Sequence, residues 1–208
     1  MKERYDDIDE YIADLKAAIS DNEQCASHHY NLGLALLSKR DFMAAEASFL
    51  EAIRNSPHLA EAYVQLGGIA MQRGDMEGCL HYNEEAVNCR PKFAVAQANI
   101  GFVYNQMGMP DKAINALTKA LKWDPNFVQA KTALSTAYFM KQNWAECENI
   151  CNDILKQEPN FAPAWNNLAL VHFEKQDYDK AIEAADKAAE LGFAVPAGFA
   201  EELKPFRK

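Results

Sequence analysis

The chain has 208 residues, of which 49% are hydrophobic and 25% charged, a composition typical of a folded globular protein. Its formal net charge is −9, and no basic patch of the kind that binds nucleic acid or anionic lipid stands out. No apolar run approaches the length that spans a bilayer, and the acidic N-terminus does not resemble a signal peptide. We therefore expect a cytoplasmic protein whose five cysteines are free thiols.

Proline recurs at a fixed interval along the chain. Pro57, Pro91, Pro125 and Pro159 are spaced by 34 residues, and a strict period of this length is typical of stacked supersecondary units. An apolar residue followed by a small one keeps the same interval, in the pairs Leu32–Gly33, Leu66–Gly67, Ile100–Gly101, Leu134–Ser135 and Leu168–Ala169. The period predicts one structural unit for every 34 residues.

Each period contains two amphipathic helical patterns, with apolar residues three and four positions apart and no alternation of the β type. Between the two patterns lies a position suited to the N-cap of the second helix, occupied by Asp41, Asp75, Asn143 and Asp177. In the third period Pro110 suits the first helical turn instead. The recurring prolines end the second helix, because proline lacks the N–H group. An all-α protein follows from these patterns.

The pattern resembles the tetratricopeptide repeat family, whose consensus runs aromatic, Leu, Gly, Tyr, then Ala, Phe, Ala, Pro. The first full repeat supplies Leu32, Gly33, Ala45, Phe49, Ala52 and Pro57. Departures from the consensus, which do not break the period, are His29, Asn83, Cys151, His172 and Phe193. The resemblance implies a single right-handed solenoid domain over residues 1–208, with repeats at 26–59, 60–93, 94–127, 128–161 and 162–195.

The two ends of the chain fit the capping elements that a stacked array needs. Residues 1–25 align with the second helix of a repeat and predict one capping helix, with core positions at Ile8, Tyr11, Leu15, Ala18 and Ile19. Residues 1–23 carry eight acidic and three basic side chains, which we interpret as a solvated cap, with an acidic docking surface as the alternative. Residues 196–208 predict a capping helix and tail. There Phe199 and Leu203 could cover the last repeat, while Phe206 could pack or stay exposed.

No catalytic motif is present: the chain lacks a Gly-rich phosphate loop, an HExxH pair and a nucleophile elbow. We therefore predict neither an enzyme nor a cofactor or metal site. Cys147 and Cys151 are four residues apart, but they fall on core positions of the repeat, which favours packing. Cys25, His28 and His29 lack a second ligand pair. A metal or redox protein using such residues is the weakest alternative.

The resemblance implies that the first helix of each repeat lines a concave groove that binds a protein or peptide client. A carboxylate clamp of the chaperone-binding type is excluded, because Tyr30, Leu34, Val64 and Gly68 stand where Lys and Asn are needed. We predict a non-catalytic adaptor that binds an extended or helical, largely uncharged segment. The alternative is a structural module that self-associates through its ends or convex face.

The predicted groove residues come from the first helix of every repeat. They are Tyr30, Asn31, Leu34, Leu37, Val64, Gln65, Met71, Asn99, Phe102, Asn105, Thr136, Phe139, Asn166, Asn167, Leu170 and Phe173. Four of them form an amide ladder at one repeat position, Asn31, Gln65, Asn99 and Asn167, interrupted at Ala133. An amide both donates and accepts, so the ladder suits a peptide backbone; the alternative is that it ties one repeat's backbone to the next.

Overall fold

The computed structural model describes residues 7–207, and every regular element within them is helical. The α-helices are α1 (Ile8–Asp21), α2 (Ala26–Ser38), α3 (Phe42–Asn55), α4 (Ala60–Gln72), α5 (Met76–Cys89), α6 (Ala94–Gln106), α7 (Pro110–Trp123), α8 (Val128–Met140), α9 (Trp144–Gln157), α10 (Ala162–Glu174), α11 (Tyr178–Glu190) and α12 (Ala197–Leu203). A 3-10 turn, Lys204–Phe206, follows α12. The predicted all-α class of helical hairpins is confirmed. None of these helices has both the length and the apolarity needed to cross a membrane.

The chain forms two compact units that divide within α6. We call them the N-terminal unit, which ends at Asn99, and the C-terminal unit, which begins at Ile100. Within each unit, helices that follow one another pack side by side, and their short connections make them antiparallel. The first helices of successive repeats in one unit, such as α2 and α4 or α8 and α10, therefore run in the same direction. The single domain and its repeat boundaries stay a prediction.

Small residues allow close helix packing within the hairpins. A Cβ at Gly33 would lie 2.6 Å from a ring carbon of Phe49, and one at Gly101 would lie 2.4 Å from Leu117 Cγ. A Cβ at Gly67 would lie 2.4 Å from Asn83 Nδ2. These distances explain why a small residue recurs at this position of the 34-residue period.

The turn inside each hairpin has a fixed geometry. Residues at one repeat position have positive φ, in the left-handed region: Arg40, Gly74, Gly108, Gln142 and Gln176. The predicted N-caps follow this turn: the backbone N–H groups of Ala44, Gly78 and Glu146 donate to the side chains of Asp41, Asp75 and Asn143. At the equivalent position Asp177 pairs with Lys180 at 2.7 Å.

Both ends of the described chain carry capping helices. In α1, Leu15 is fully buried and packs with Leu32 and Phe49 of the first hairpin. The predicted core residue Ile8 is instead 39% exposed, because the buried stripe of α1 begins one turn later, at Ile12.

At the other end, Phe199 and Leu203 of α12 are buried against α10 and α11, so the predicted cover of the last repeat is confirmed. The ring of Phe206 stacks on Tyr178, with centroids 3.6 Å apart, and remains 37% exposed. The tail therefore packs without being buried.

Candidate functional site

In the N-terminal unit the predicted residues lie on three helices: Tyr30, Asn31, Leu34 and Leu37 on α2, Val64, Gln65 and Met71 on α4, and Asn99 on α6. Helices α2 and α4 share one apolar core, to which α2 contributes Leu32 and Leu36 and α4 contributes Leu66 and Ile69. Burial, with a smaller contribution from the Glu61 carboxylate, raises the pKa of Tyr30. Tyr30 is therefore a neutral phenol at pH 7. Leu34 is the most open of the set, with 37% of its surface exposed.

The amide of Asn99 bonds to the preceding repeat. Its Nδ2 donates to Oδ1 of the fully buried Asn83 at 2.9 Å, and Asn83 Nδ2 donates in turn to the carbonyl oxygen of Cys79. The second bond fixes the orientation of the Asn83 amide, because only its oxygen is left to accept. Asn99 therefore follows the alternative interpretation of the amide ladder, in which the amide joins one repeat to the next. The group that it bonds is a side chain, whereas a backbone group was expected.

In the C-terminal unit the predicted residues also lie on three helices: Phe102 and Asn105 on α6, Thr136 and Phe139 on α8, and Asn166, Asn167, Leu170 and Phe173 on α10. Asn167 Nδ2 donates to Ser135 Oγ at 2.9 Å, while Ser135 Oγ donates to the carbonyl oxygen of Thr132. This amide too ties its helix to the preceding repeat. Phe102, 39% exposed, is the most open residue of this set.

Two predicted groove residues are almost fully covered. Asn105 and Asn166 are 8% and 7% exposed, and Asn105 Nδ2 donates to the carbonyl oxygen of Ala133 at 2.7 Å. Among the described residues, neither Oδ1 atom has a hydrogen-bond partner. These two positions are therefore a correction to the predicted groove: their side chains lie beneath the open face, where Asn105 joins α6 to α8.

Two aromatic residues of the predicted set pack within the protein. Phe139 lies against Trp144, with ring centroids 4.9 Å apart. Phe173 contacts three rings edge to face, those of Tyr178, Phe199 and Phe206. Phe173, a predicted groove residue, therefore packs within the C-terminal unit, because the C-terminal segment occupies the space around its ring.

The residues at one repeat position are exposed or half-buried in both units. This position holds Leu34 and Gly68 in the N-terminal unit and Phe102, Thr136 and Leu170 in the C-terminal unit. Gly68 is the groove-facing residue that the sequence predicts at this position in the second repeat. It is a glycine inside a helix, a placement that destabilises the helix.

The buried cysteines and His29 have structural partners. Cys79, Cys147 and Cys151 are fully buried, as predicted for core residues. Burial raises the pKa of Cys79 to about 11, and the hydrogen bond to Cys151, together with burial, raises the pKa of Cys147. His29 Nε2 lies 2.8 Å from the carbonyl oxygen of Glu23. Between residues 7 and 207, no three His, Cys, Asp or Glu side chains are placed to hold a metal ion together.

Comparison with known proteins identifies the class to which this fold belongs. Models of the tetratricopeptide repeat family match residues 7–60, 30–91, 104–171 and 162–191. The chain therefore belongs to the tetratricopeptide repeat family. Comparison with curated protein sequences gives no match.

Several solved structures share the fold. YrrB, described as a TPR protein with an unusual peptide-binding site, is 20% identical, with a TM-score of 0.74 over 92% of this chain and 97% of YrrB. PilF from Pseudomonas aeruginosa is 15% identical, with a TM-score of 0.81 over 96% of this chain and 90% of PilF. A chain of the APC/C hetero-tetramer Cut9–Hcn1 is 17% identical, with a TM-score of 0.80 over 97% of this chain and 40% of its own length. At these identities the likeness concerns the fold alone.

Proposed function

We propose that the protein is a non-catalytic adaptor that binds an extended or helical, largely uncharged peptide segment of a client protein. The observation that carries this proposal is the exposure of Leu34 and Phe102 on the first-helix faces of their units. Large apolar side chains on such a face provide contact area for a partner. YrrB, with its described peptide-binding site, supports a similar use of this fold.

The chemistry of the predicted residues supports binding rather than catalysis. Among them only Tyr30 is titratable, and its raised pKa keeps the phenol protonated. The remaining polar groups are amides and one hydroxyl, and the amides of Asn99, Asn105 and Asn167 bond to neighbouring repeats. None of these groups suits general acid–base work near neutral pH. The buried thiols fit a reducing compartment such as the cytoplasm, which we propose as the location.

The test compares two leucines of equal exposure on different helix faces. Leu34 on α2 is 37% exposed, and Leu50 on α3 is 38% exposed. We expect Leu34→Glu to abolish co-purification of the client from a native lysate, while Leu50→Glu retains it, with both variants melting like the parent. If Leu50→Glu loses the client and Leu34→Glu retains it, the client binds the face of α3, and the proposal is contradicted.

A further inference from the structure

The N-terminal unit contains a glycine that the fold does not require. Packing requires glycine at Gly33, Gly67 and Gly101, because a Cβ added at each would lie within 3 Å of a neighbouring side chain. Gly68, in the middle of α4, differs from them, since an added Cβ would meet no atom within 4 Å. Its φ is not positive, so backbone conformation does not demand glycine either. A glycine that weakens its helix without a packing reason leaves room for something outside the fold.

The space over Gly68 is lined by apolar side chains. On α4 its neighbours one turn away are Val64 and Met71, both half-buried. Helices α2 and α4 contribute to one apolar cluster and run in the same direction. Leu34 holds on α2 the repeat position that Gly68 holds on α4, so Leu34 borders the same space. A depression bordered by leucine, valine and methionine favours a bulky apolar group.

The charged side chain on the helices that border this depression is the carboxylate of Glu61. Helices α2 and α4 and residues 94–99 contain no Lys or Arg. Glu61 lies seven residues before Gly68, on the same face of α4, with its side chain 35% exposed. One of its oxygens accepts from Arg90 at 2.5 Å. The same carboxylate contributes to the raised pKa of Tyr30. Arg90 occupies one oxygen of this carboxylate, and the other oxygen can accept a hydrogen bond from a basic group of a ligand.

The seven-residue spacing of Glu61 and Gly68 sets the distance between the carboxylate and the apolar depression. Seven residues of α-helix rise about 10 Å, at about 1.5 Å per residue. An extended peptide covers the same distance in about three residues, at about 3.3 Å each.

We propose that the N-terminal unit binds an extended peptide segment that seats a bulky apolar side chain over Gly68 and places a Lys or Arg beside Glu61, about three residues away. This proposal rests on the proposed function and specifies the ligand at one of its faces. Gly68 is then the floor of the apolar subsite, and Glu61 selects the charge. The apolar residue can come before or after the basic residue in the peptide sequence, because a peptide running in either direction spans the same distance.

A random 12-residue peptide library, selected on the immobilised full chain, tests the ligand. We expect enrichment of peptides with Leu, Met, Phe or Trp three residues from Lys or Arg. Labelled copies of the selected peptides are then titrated against variants. Gly68→Leu should weaken binding at least tenfold by filling the subsite. Glu61→Gln should weaken it roughly two- to fivefold, and should have no effect on a peptide whose basic residue is replaced by Gln.

The control is another glycine with no atom within 4 Å of an added Cβ, Gly198 in α12. Gly198→Leu should leave peptide affinity unchanged, and Gly68→Ala should melt no lower than the parent while weakening binding severalfold. Selected peptides that bind Gly68→Leu as tightly as the parent would overturn this inference and leave the proposed function standing. A library that yields no peptide binding to the full chain would overturn both.

Discussion

Asn83 occupies a position where the family consensus has an aromatic residue, and its surroundings have adapted to the amide. Gly67 opposite it leaves space for Nδ2, which donates to the carbonyl oxygen of Cys79 at 2.8 Å. The remaining Oδ1 accepts from Asn99 of the next repeat. A buried amide is tolerated when its hydrogen-bonding groups are paired. Asn99 is therefore a structural residue of the second and third repeats.

This pairing predicts the effect of removing Asn99. Asn99→Ala leaves the Asn83 oxygen buried without a donor, which should lower the free energy of unfolding by about 1–3 kcal/mol. Urea unfolding at neutral pH measures the change. Asn88→Ala is the matched control, because Asn88 is exposed and bonds only to Glu85 on its own helix. Equal stability of the two variants would show that the Asn83–Asn99 bond contributes nothing.

The burial of Cys79 predicts an alkaline loss of stability. Its thiol has a pKa of about 11 in the folded protein, compared with 9.0 when the thiol is exposed to water in the unfolded chain. Stability is therefore unaffected below about pH 9. It falls as the pH rises towards about 11, by up to about 1.4 kcal/mol per pH unit, because the unfolded chain loses the proton first. Unfolding by urea at about pH 8 and pH 10.5 measures the decline, which should be shallower in Cys79→Ala. An identical decline in both proteins would rule out this thiol as its cause.

At the scale of single helices, the two caps differ in what they bury. Helix α1 adds Leu15 to the core of the first hairpin, with none of its surface exposed, while its first residue stays open. Helix α12 adds Phe199 and Leu203 and brings Phe206 onto Tyr178. Periodicity predicted α1, because it aligns with half a repeat, and the four-residue spacing of Phe199 and Leu203 predicted α12. It could not place Phe206, since stacking depends on the path of the turn that follows α12.

The N-terminal cap should be a major source of stability. Leu15→Ala removes a fully buried side chain, which should lower the free energy of unfolding by about 2–5 kcal/mol. Ile8→Ala on the same helix is the control, because Ile8 is 39% exposed and should change stability little. Thermal and urea unfolding of the two variants give the comparison. A cost for Leu15→Ala no larger than that for Ile8→Ala would mean that α1 does not cap the array.

At the scale of the whole molecule, stability in a repeat protein is a sum of each repeat and its contacts with its neighbours. A defect at one end should therefore act mainly nearby. Leu203 packs with Leu168 and Val171 of α10 and with Ala181 of α11. We expect Leu203→Ala to accelerate amide hydrogen exchange in α10 and α11 more than in α2–α5. Equal acceleration in α2–α5 would show that the chain unfolds as one cooperative block.

The 34-residue period was sufficient to predict the fold, because the residues that recur at this interval are those that pack against a neighbouring helix. The same period predicted the faces of the candidate site but not their accessibility. Phe173 falls on the right face, yet the C-terminal segment covers it. Asn166 is buried, although its position in the repeat equals that of the half-buried Tyr30. Accessibility depends on neighbours outside the repeat, which no single repeat position encodes.

The lack of Lys and Arg on α2, α4 and residues 94–99 also determines how this face reacts with chemical reagents. Amine-reactive dyes and amine coupling to a sensor surface leave these helices unmodified, so the protein can be labelled or immobilised without altering them. A carbodiimide joins a carboxylate to an amine without a spacer. When a carbodiimide links Glu61 to a bound peptide, the amine that forms the amide bond comes from the peptide. Mass spectrometry of the cross-linked product then identifies which peptide residue lay beside Glu61.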